Sequence, residues 1–287
     1  MTILVFILLI IIIYKYIYQD KEPFGKRLYT WNKCKINDQT KLKNTFNEYG
    51  CIIIPSILST QDCGNILSII EREERNKNAE TGNINSNFKR KDIYLSLNDT
   101  REYIAKIYEK IKIFVDDLIP NARVVESSSL ISYPGAYPQI WHSDTNYTSP
   151  QEGNLVSFGI ALDDITYEMG PLDVYLESNK MYTQDEDKLY EKHNLKSDNL
   201  QGNYDDGTKH QSIDELCKLE KYKKVDCSTT KGSLVIWSSK VIHRGGENTS
   251  KRRPIFYFSL LGKGKKPHGA TYSMKSKDQI VKIKDIV

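Results

Sequence analysis

The sequence predicts a mainly β fold with flanking helices (α+β), a sandwich or barrel into which a double-stranded β-helix, or jelly roll, fits. From Val124 onward short apolar stretches alternate with Gly, Pro and Asn turns, as in paired short strands. Helical periodicity is confined to two segments before that point. With 287 residues the chain is long enough for one sizeable core.

Taken in chain order, Ile3 to Ile13 is an unbroken apolar run, extended by Tyr14, Tyr16, Ile17 and Tyr18 around Lys15. A spanning helix needs about 20 apolar residues. Residues 1–18 approach that if Lys15 snorkels and the tyrosines sit at the interface, so a single-pass N-terminal membrane anchor is expected. No basic stretch precedes the run and no small-residue cleavage site follows it, which disfavours a cleaved signal peptide. Lys15, Lys21, Lys26 and Arg27 all follow it, so the positive-inside rule puts the remaining domain on the cytoplasmic side. The glycosylation acceptors Asn146-Tyr147-Thr148 and Asn248-Thr249-Ser250 agree, because a glycan there would crowd the site described below. Residues 19–41 are polar and read as a linker, leaving 42–287 for the folded domain.

Ser59 or Thr60 caps a helix running to about residue 77, with Ile66, Leu67, Ile69 and Ile70 as its apolar face. A second helix is expected over 101–118, where Ile104, Ile107, Tyr108, Ile111, Phe114 and Val115 recur at helical spacing before Pro120. Residues 180–224 break the strand pattern with a polar insertion just ahead of the later site residues, a position suited to a lid. His193 and His210 within it, and His268 in the basic C-terminal tail, read as surface residues.

Composition narrows the function. A net charge of +4 from 41 basic and 37 acidic residues, with no basic stripe, excludes a nucleic-acid surface. The five cysteines form no C-x-x-C pair, so neither a zinc ribbon nor a disulfide framework is indicated. Cys51 and Cys63 sit among apolar residues and read as small buried hydrophobes in a reducing compartment.

The chemistry is carried by His142-Ser143-Asp144 and, about a hundred residues later, His243. Two imidazoles and one carboxylate on one face of a metal leave the other face open for a chelating co-substrate and dioxygen. Strand alternation sends His142 and Asp144 the same way. His243 follows Lys231-Gly232-Ser233-Leu234-Val235-Ile236-Trp237, a glycine and an apolar run that read as a buried strand. An H-x-D tripeptide alone is common. The lead-in Gln139-Ile140-Trp141, the apolar Ser129 to Tyr133 and the cations downstream of His243 make the set specific.

The stretch Gln139 to Asp144 resembles the metal strand of the phytanoyl-CoA dioxygenase family of Fe(II)/2-oxoglutarate enzymes, its ectoine-hydroxylase branch in particular. Phe46 to Ile54 is similar to the family's opening strand, Leu162-Asp163-Asp164 through Met169-Gly170-Pro171-Leu172 to its mid-domain signature, and His243 to Ser250 to its second-histidine motif. The likeness covers roughly residues 42 to 262. It implies a cupin-like jelly roll in which His142, Asp144 and His243 hold Fe(II). It also implies an arginine on the last core strand for the distal carboxylate of 2-oxoglutarate: Arg253, with Arg252 as competitor because alternation sends the two to opposite faces. Beside these, Gln139 is expected to orient the co-substrate, Trp141 faces away from the metal by alternation and is expected in the core, and Tyr133 could serve either the core or the site.

The implied activity is hydroxylation of a small molecule using 2-oxoglutarate and O2, with release of succinate and CO2 and ascorbate as a stimulant. Asp144 argues against halogenation, since halogenating relatives replace that carboxylate by a small residue. The expected anchor makes a lipid-like substrate the natural guess. Two departures stand out: Gly159 where many relatives carry tryptophan, and Gly245 where some carry serine, both in the co-substrate pocket, which they would enlarge. They motivate a second reading, a non-catalytic jelly-roll protein that binds metal and ligand at a membrane. A metal-dependent hydrolase lacks a clear general base or second-metal cluster.

Overall fold

The computed structural model describes residues 38–82, 89–145, 151–183, 191–193, 195 and 211–286. Two antiparallel sheets carry the fold. The larger contains β1 (Cys51–Ile54), β2 (Arg90–Tyr94), β3 (Arg123–Ser132), β4 (Leu155–Ala161), β7 (Leu234–Ser238), β9 (Arg253–Leu261) and β10 (Val281–Lys282), in the order β1-β7-β4-β9-β3-β10 with β2 also paired to β3. The smaller is β6-β5-β8, from β5 (Leu172–Tyr175), β6 (Lys224–Asp226) and β8 (His243–Gly245).

Alternation along the strands sorts the larger sheet into two faces. Phe256, Phe258 and Leu260 of β9, Val156, Phe158 and Ile160 of β4, and Leu234 and Ile236 of β7 point to one side. There they meet three helices: α1 (Gln39–Tyr49), α2 (Thr60–Arg75) and α3 (Leu97–Leu118), through residues such as Phe46, Ile66, Ile104 and Phe114. The opposite set, including Arg253, Ile255, Tyr257, Ser157, Gly159 and Trp237, lines a cavity bounded across from it by the smaller sheet. Helices seal one face, so function is left to the other.

Local signals explain most boundaries. Ser59 caps α2 through a reciprocal box with Asp62. Asp38 caps α1, which ends at Gly50 in the left-handed region (φ 74°). Helix α1 thus begins inside the segment read as linker, and of the expected opening strand Phe46 to Ile54 only Cys51–Ile54 is extended. Helix α3 starts before the expected residue 101, because Asp278 from the C-terminal tail accepts the Leu97 N–H at 2.7 Å. The polar insertion is not without structure: α4 (Gln211–Leu219) buries Ile213, Leu216 and Cys217 against Trp141, Tyr175 and Ile242. This part packs on the smaller sheet's side away from the cavity and is no lid. Residues 184–190, 194 and 196–210, including His210, lie outside the described residues. Cys51, Cys63, Cys217 and Cys227 are buried and unpaired by disulfides.

The expected location, a single-pass anchor with a cytoplasmic domain, is corrected. Residues 1–18 lie outside the described residues, and no helix among the described residues is long and apolar enough to cross a membrane. The 22 residues of α3 reach the length but include Asp99, Arg101, Glu102, Lys106, Glu109 and Lys110. Membrane association through an N-terminal helix is thus without support among the described residues.

Candidate functional site

His142 and His243 sit directly opposite one another. His142 N donates to His243 O at 3.0 Å and His243 N to His142 O at 2.8 Å, so their side chains emerge on one side with ring centroids 4.5 Å apart. The His142 segment is an isolated bridge to β8 and not a regular strand, and Asp144 lies in a bend whose N–H donates to Ser239 O at 2.8 Å. Register against β8, more than strand alternation, therefore aims these ligands.

The imidazoles are oriented by their own backbone. His142 Nδ1 lies 2.7 Å from Ile140 O and His243 Nδ1 2.9 Å from Val241 O. A carbonyl only accepts, so Nδ1 carries a proton in both rings and Nε2 is the atom each ring can offer to a metal. His243 Nε2 is 3.5 Å from Asp144 Oδ1, and one ligand atom from each of His142, Asp144 and His243 lies within 4.8 Å of the others. Trp237 Nε1 donates to Asp144 Oδ2 at 3.3 Å, which steers the carboxylate. This role of Trp237 was not read from the sequence; its only trace there is its position at the end of the apolar run, in step with Val235. Two imidazole nitrogens and a carboxylate oxygen converging from one side suit a ferrous ion with open positions opposite.

Arg253 lies in the same cavity, 1% exposed, and its Nε has no partner among the described residues. Burial, reinforced by the charge of Arg90, pushes its guanidinium down to about 9, still cationic at neutral pH. Alternation separates it from Arg252, which pairs with Glu74 on the other face, where the Tyr133 hydroxyl joins the same carboxylate. A buried cation with an orphaned donor suits the far carboxylate of a dicarboxylic co-substrate. Gln139 lines the cavity, its Oε1 accepting the Gly245 N–H at 2.8 Å.

Neither glycine departure enlarges the cavity. A Cβ at Gly159 would lie 3.0 Å from the Trp237 ring, and one at Gly245 would lie 2.7 Å from Gln139 Oε1 and 3.0 Å from Arg90 Nη1. Each gap is already filled from a neighbouring strand.

The cavity, about 540 Å³, has a wall that composition gave no hint of: Asp92 and Tyr94 of β2, Glu126 of β3, Tyr257 of β9, and the C-terminal tail at Ala270 and Ser273. Burial, helped by the charges of Asp144 and Asp92, pushes Glu126 up to about 8, and Ser259 donates to it. Burial also raises Asp92, which accepts from Ser128 and, at 3.1 Å, from Tyr257 Oη. Trp141 is buried beside Tyr175 under Arg244, as expected of a core residue. His193 is held by Glu220 at 2.6 Å and His268 is exposed, both away from this cavity. Thr145 bonds Ser239 and no imidazole. Asn248 is fully buried, with Nδ2 donating to Ser132 O and Lys251 O at 3.1 and 2.9 Å, so its side chain presents no glycan acceptor in the folded domain.

Residues 46–255 match the phytanoyl-CoA dioxygenase (PhyH) family. No curated protein matches significantly. Similar solved structures include the non-heme alpha ketoglutarate dependent carbocyclase SnoK from nogalamycin biosynthesis, at TM-score 0.57 and 16% identity over 79% of this chain and 86% of that one. The epimerase SnoN of the same biosynthesis gives 0.60 and 12% over 85% and 92%. HygX from Streptomyces hygroscopicus, solved with nickel, 2-oxoglutarate and hygromycin B, gives 0.54 and 12% over 87% and 99%. At these identities the likeness is one of fold, and the fold they share is jelly-roll-like.

Proposed function

The chain belongs to the phytanoyl-CoA dioxygenase family of Fe(II)- and 2-oxoglutarate-dependent enzymes, and from that premise we propose that it hydroxylates a hydrogen-bonding small molecule, with His142, Asp144 and His243 as its iron ligands. One observation carries the assignment of ligands: one ligand atom from each of His142, Asp144 and His243 lies within 4.8 Å of the others, while both Nδ1 atoms are turned to backbone carbonyls. When bound, ferrous iron with 2-oxoglutarate and O2 supplies a centre that couples loss of CO2, with succinate formation, to hydroxylation of a C–H bond, ascorbate keeping the iron reduced.

The chain's own residues do the positioning. His142 and His243 hold their rings without rotational freedom, and Trp237 fixes the Asp144 carboxylate through its free oxygen. Arg253 would receive the distal carboxylate of 2-oxoglutarate, and Gln139 would stand beside it. The substrate end offers Asp92, Glu126, Tyr94 and Tyr257. Such a lining favours a polar, hydrogen-bonding substrate over the lipid-like one, whose only support was the N-terminal apolar run. We assign the catalytic domain to 42–287, with α1 reaching back to Gln39.

The test is succinate release by the full chain with Fe(II), 2-oxoglutarate and ascorbate across a metabolite panel. Turnover of polar compounds that requires oxygen and is abolished by His142→Ala is expected. Turnover confined to fatty acyl compounds refutes the polar substrate. A chain that binds iron and 2-oxoglutarate yet releases no succinate with or without substrate is the non-catalytic binder.

A further inference from the structure

One cross-strand row runs over three strands of the larger sheet: Arg90 of β2 pairs with Ser132 of β3, and Ser132 pairs with Arg253 of β9. Directly paired residues project to one face, so two guanidinium groups flank a hydroxyl along a span of roughly 10 Å. The face is that of the cavity, since Asp92, Leu130 and Ile255, each two residues along from a member of the row, line it. Arg90, Ser132 and Arg253 are 3%, 0% and 1% exposed. Among the described residues Arg90 Nε and Nη1, Ser132 Oγ and Arg253 Nε have no hydrogen-bond partner.

Among the described residues no carboxylate is bonded to either guanidinium. Asp173, whose charge is felt at Arg253, is held by Arg244 at 3.0 Å. Burial lowers Arg90 to about 10 and Arg253 to about 9, and both stay cationic at neutral pH. Arg90 Nη2 is used, donating to Tyr137 O at 2.9 Å and Gly246 O at 2.7 Å. Those bonds hold the guanidinium in place and leave its remaining edge unspent. Buried cations side by side, each with idle donors, are an arrangement that an anion completes.

We propose that Arg90 and Ser132 join Arg253 in a three-residue receptor for the distal carboxylate of 2-oxoglutarate, with Gly245 as the gap that admits Arg90. The proposal rests on the 2-oxoglutarate reading given above. A Cβ at 245 would come within 3.0 Å of Arg90 Nη1 and 3.4 Å of its Cζ, so any side chain there displaces the guanidinium. Two planar forks and a hydroxyl recognise a carboxylate by direction as well as charge. A 2-oxo acid without the distal carboxylate leaves them idle.

The test separates recognition from mere support of the loop that Arg90 pins. The nickel-loaded full chain is titrated calorimetrically with 2-oxoglutarate and with 2-oxobutyrate, which keeps the 2-oxo acid head and lacks the distal carboxylate. Arg90→Gln is expected to weaken 2-oxoglutarate about 10- to 100-fold and leave 2-oxobutyrate unchanged. Ser132→Ala removes a hydroxyl with no partner among the described residues, and carries the test if Arg90→Gln does not fold. It is expected to weaken 2-oxoglutarate alone, by about 2- to 10-fold. Unchanged 2-oxoglutarate affinity in both variants, or equal losses for the two ligands, overturns the receptor. Wild-type chain that binds nickel and ignores 2-oxoglutarate is a different result, which removes the underlying reading and the receptor with it.

Discussion

The two ends of the cavity are built on different principles. The metal end is assembled from neighbours: His142 and Asp144 are two residues apart, and His243 reaches them through a single backbone bridge. The carboxylate end is assembled from register, with Arg90, Ser132 and Arg253 brought into line by two separate strand pairings. The metal end has its polar atoms engaged by carbonyls and an indole, whereas the other end holds two guanidinium groups with donors that have no partner among the described residues. One end is pre-satisfied and waits for a cation; the other is under-satisfied and waits for an anion.

The sharpest way to break this comparison is to remove one end at a time. His142→Ala or His243→Ala is expected to lower metal affinity by at least about 100-fold and abolish turnover, measured by metal titration and succinate release. The fold should survive, because these imidazoles contribute little to the helix-backed core. Arg253→Met should do the reverse: metal affinity unchanged, 2-oxoglutarate binding weakened by about 100-fold. It should also raise the melting temperature of ligand-free protein by a few degrees, since an uncompensated buried charge gives way to an apolar side chain of similar reach. A lower melting temperature for Arg253→Met would mean that the guanidinium is already paired, and the contrast between the ends would go.

Trp237 tests how firmly the metal end is set. Trp237→Phe keeps a ring near Gly159 but loses the N–H donated to Asp144. A decrease in metal affinity of about tenfold is expected, with 2-oxoglutarate affinity of the loaded protein little altered. Equal loss at both ends would show that the indole acts as packing alone.

The same contrast explains what was legible in the sequence. The spacing of His142 and Asp144, the glycine-led apolar strand before His243, the Ser59 cap and the alternation that separates Arg253 from Arg252 are short-range signals, and each has its counterpart in the structure. The Asp278 cap on α3 and the Arg90–Ser132–Arg253 row depend on tertiary contacts between distant residues, and no local pattern encodes them. Gly159 and Gly245 show the hazard most clearly. Read along the chain they look like lost contacts, and read across the strands they are spaces occupied by Trp237 and Arg90.

Glu126 gives the finest test, because it sits on the wall between the two ends and its charge depends on pH. Its carboxyl is raised from an ordinary 4.5 to about 8, by burial first and then by Asp144 and Asp92. A folded-state value above the unfolded one means that the native protein holds this proton more tightly. Its contribution to stability is complete below about pH 4.5 and is lost as pH rises through about 8. Asp92 is shifted in the same direction, so comparing wild type with Glu126→Gln isolates the one group. Wild type is expected to lose roughly 2 to 4 kcal/mol more than the variant between pH 5 and pH 8.5, a difference of about 5 to 10 °C in melting temperature. Parallel pH profiles would mean that Glu126 is ionised in the fold, and the wall facing the arginines would then carry a charge able to answer them.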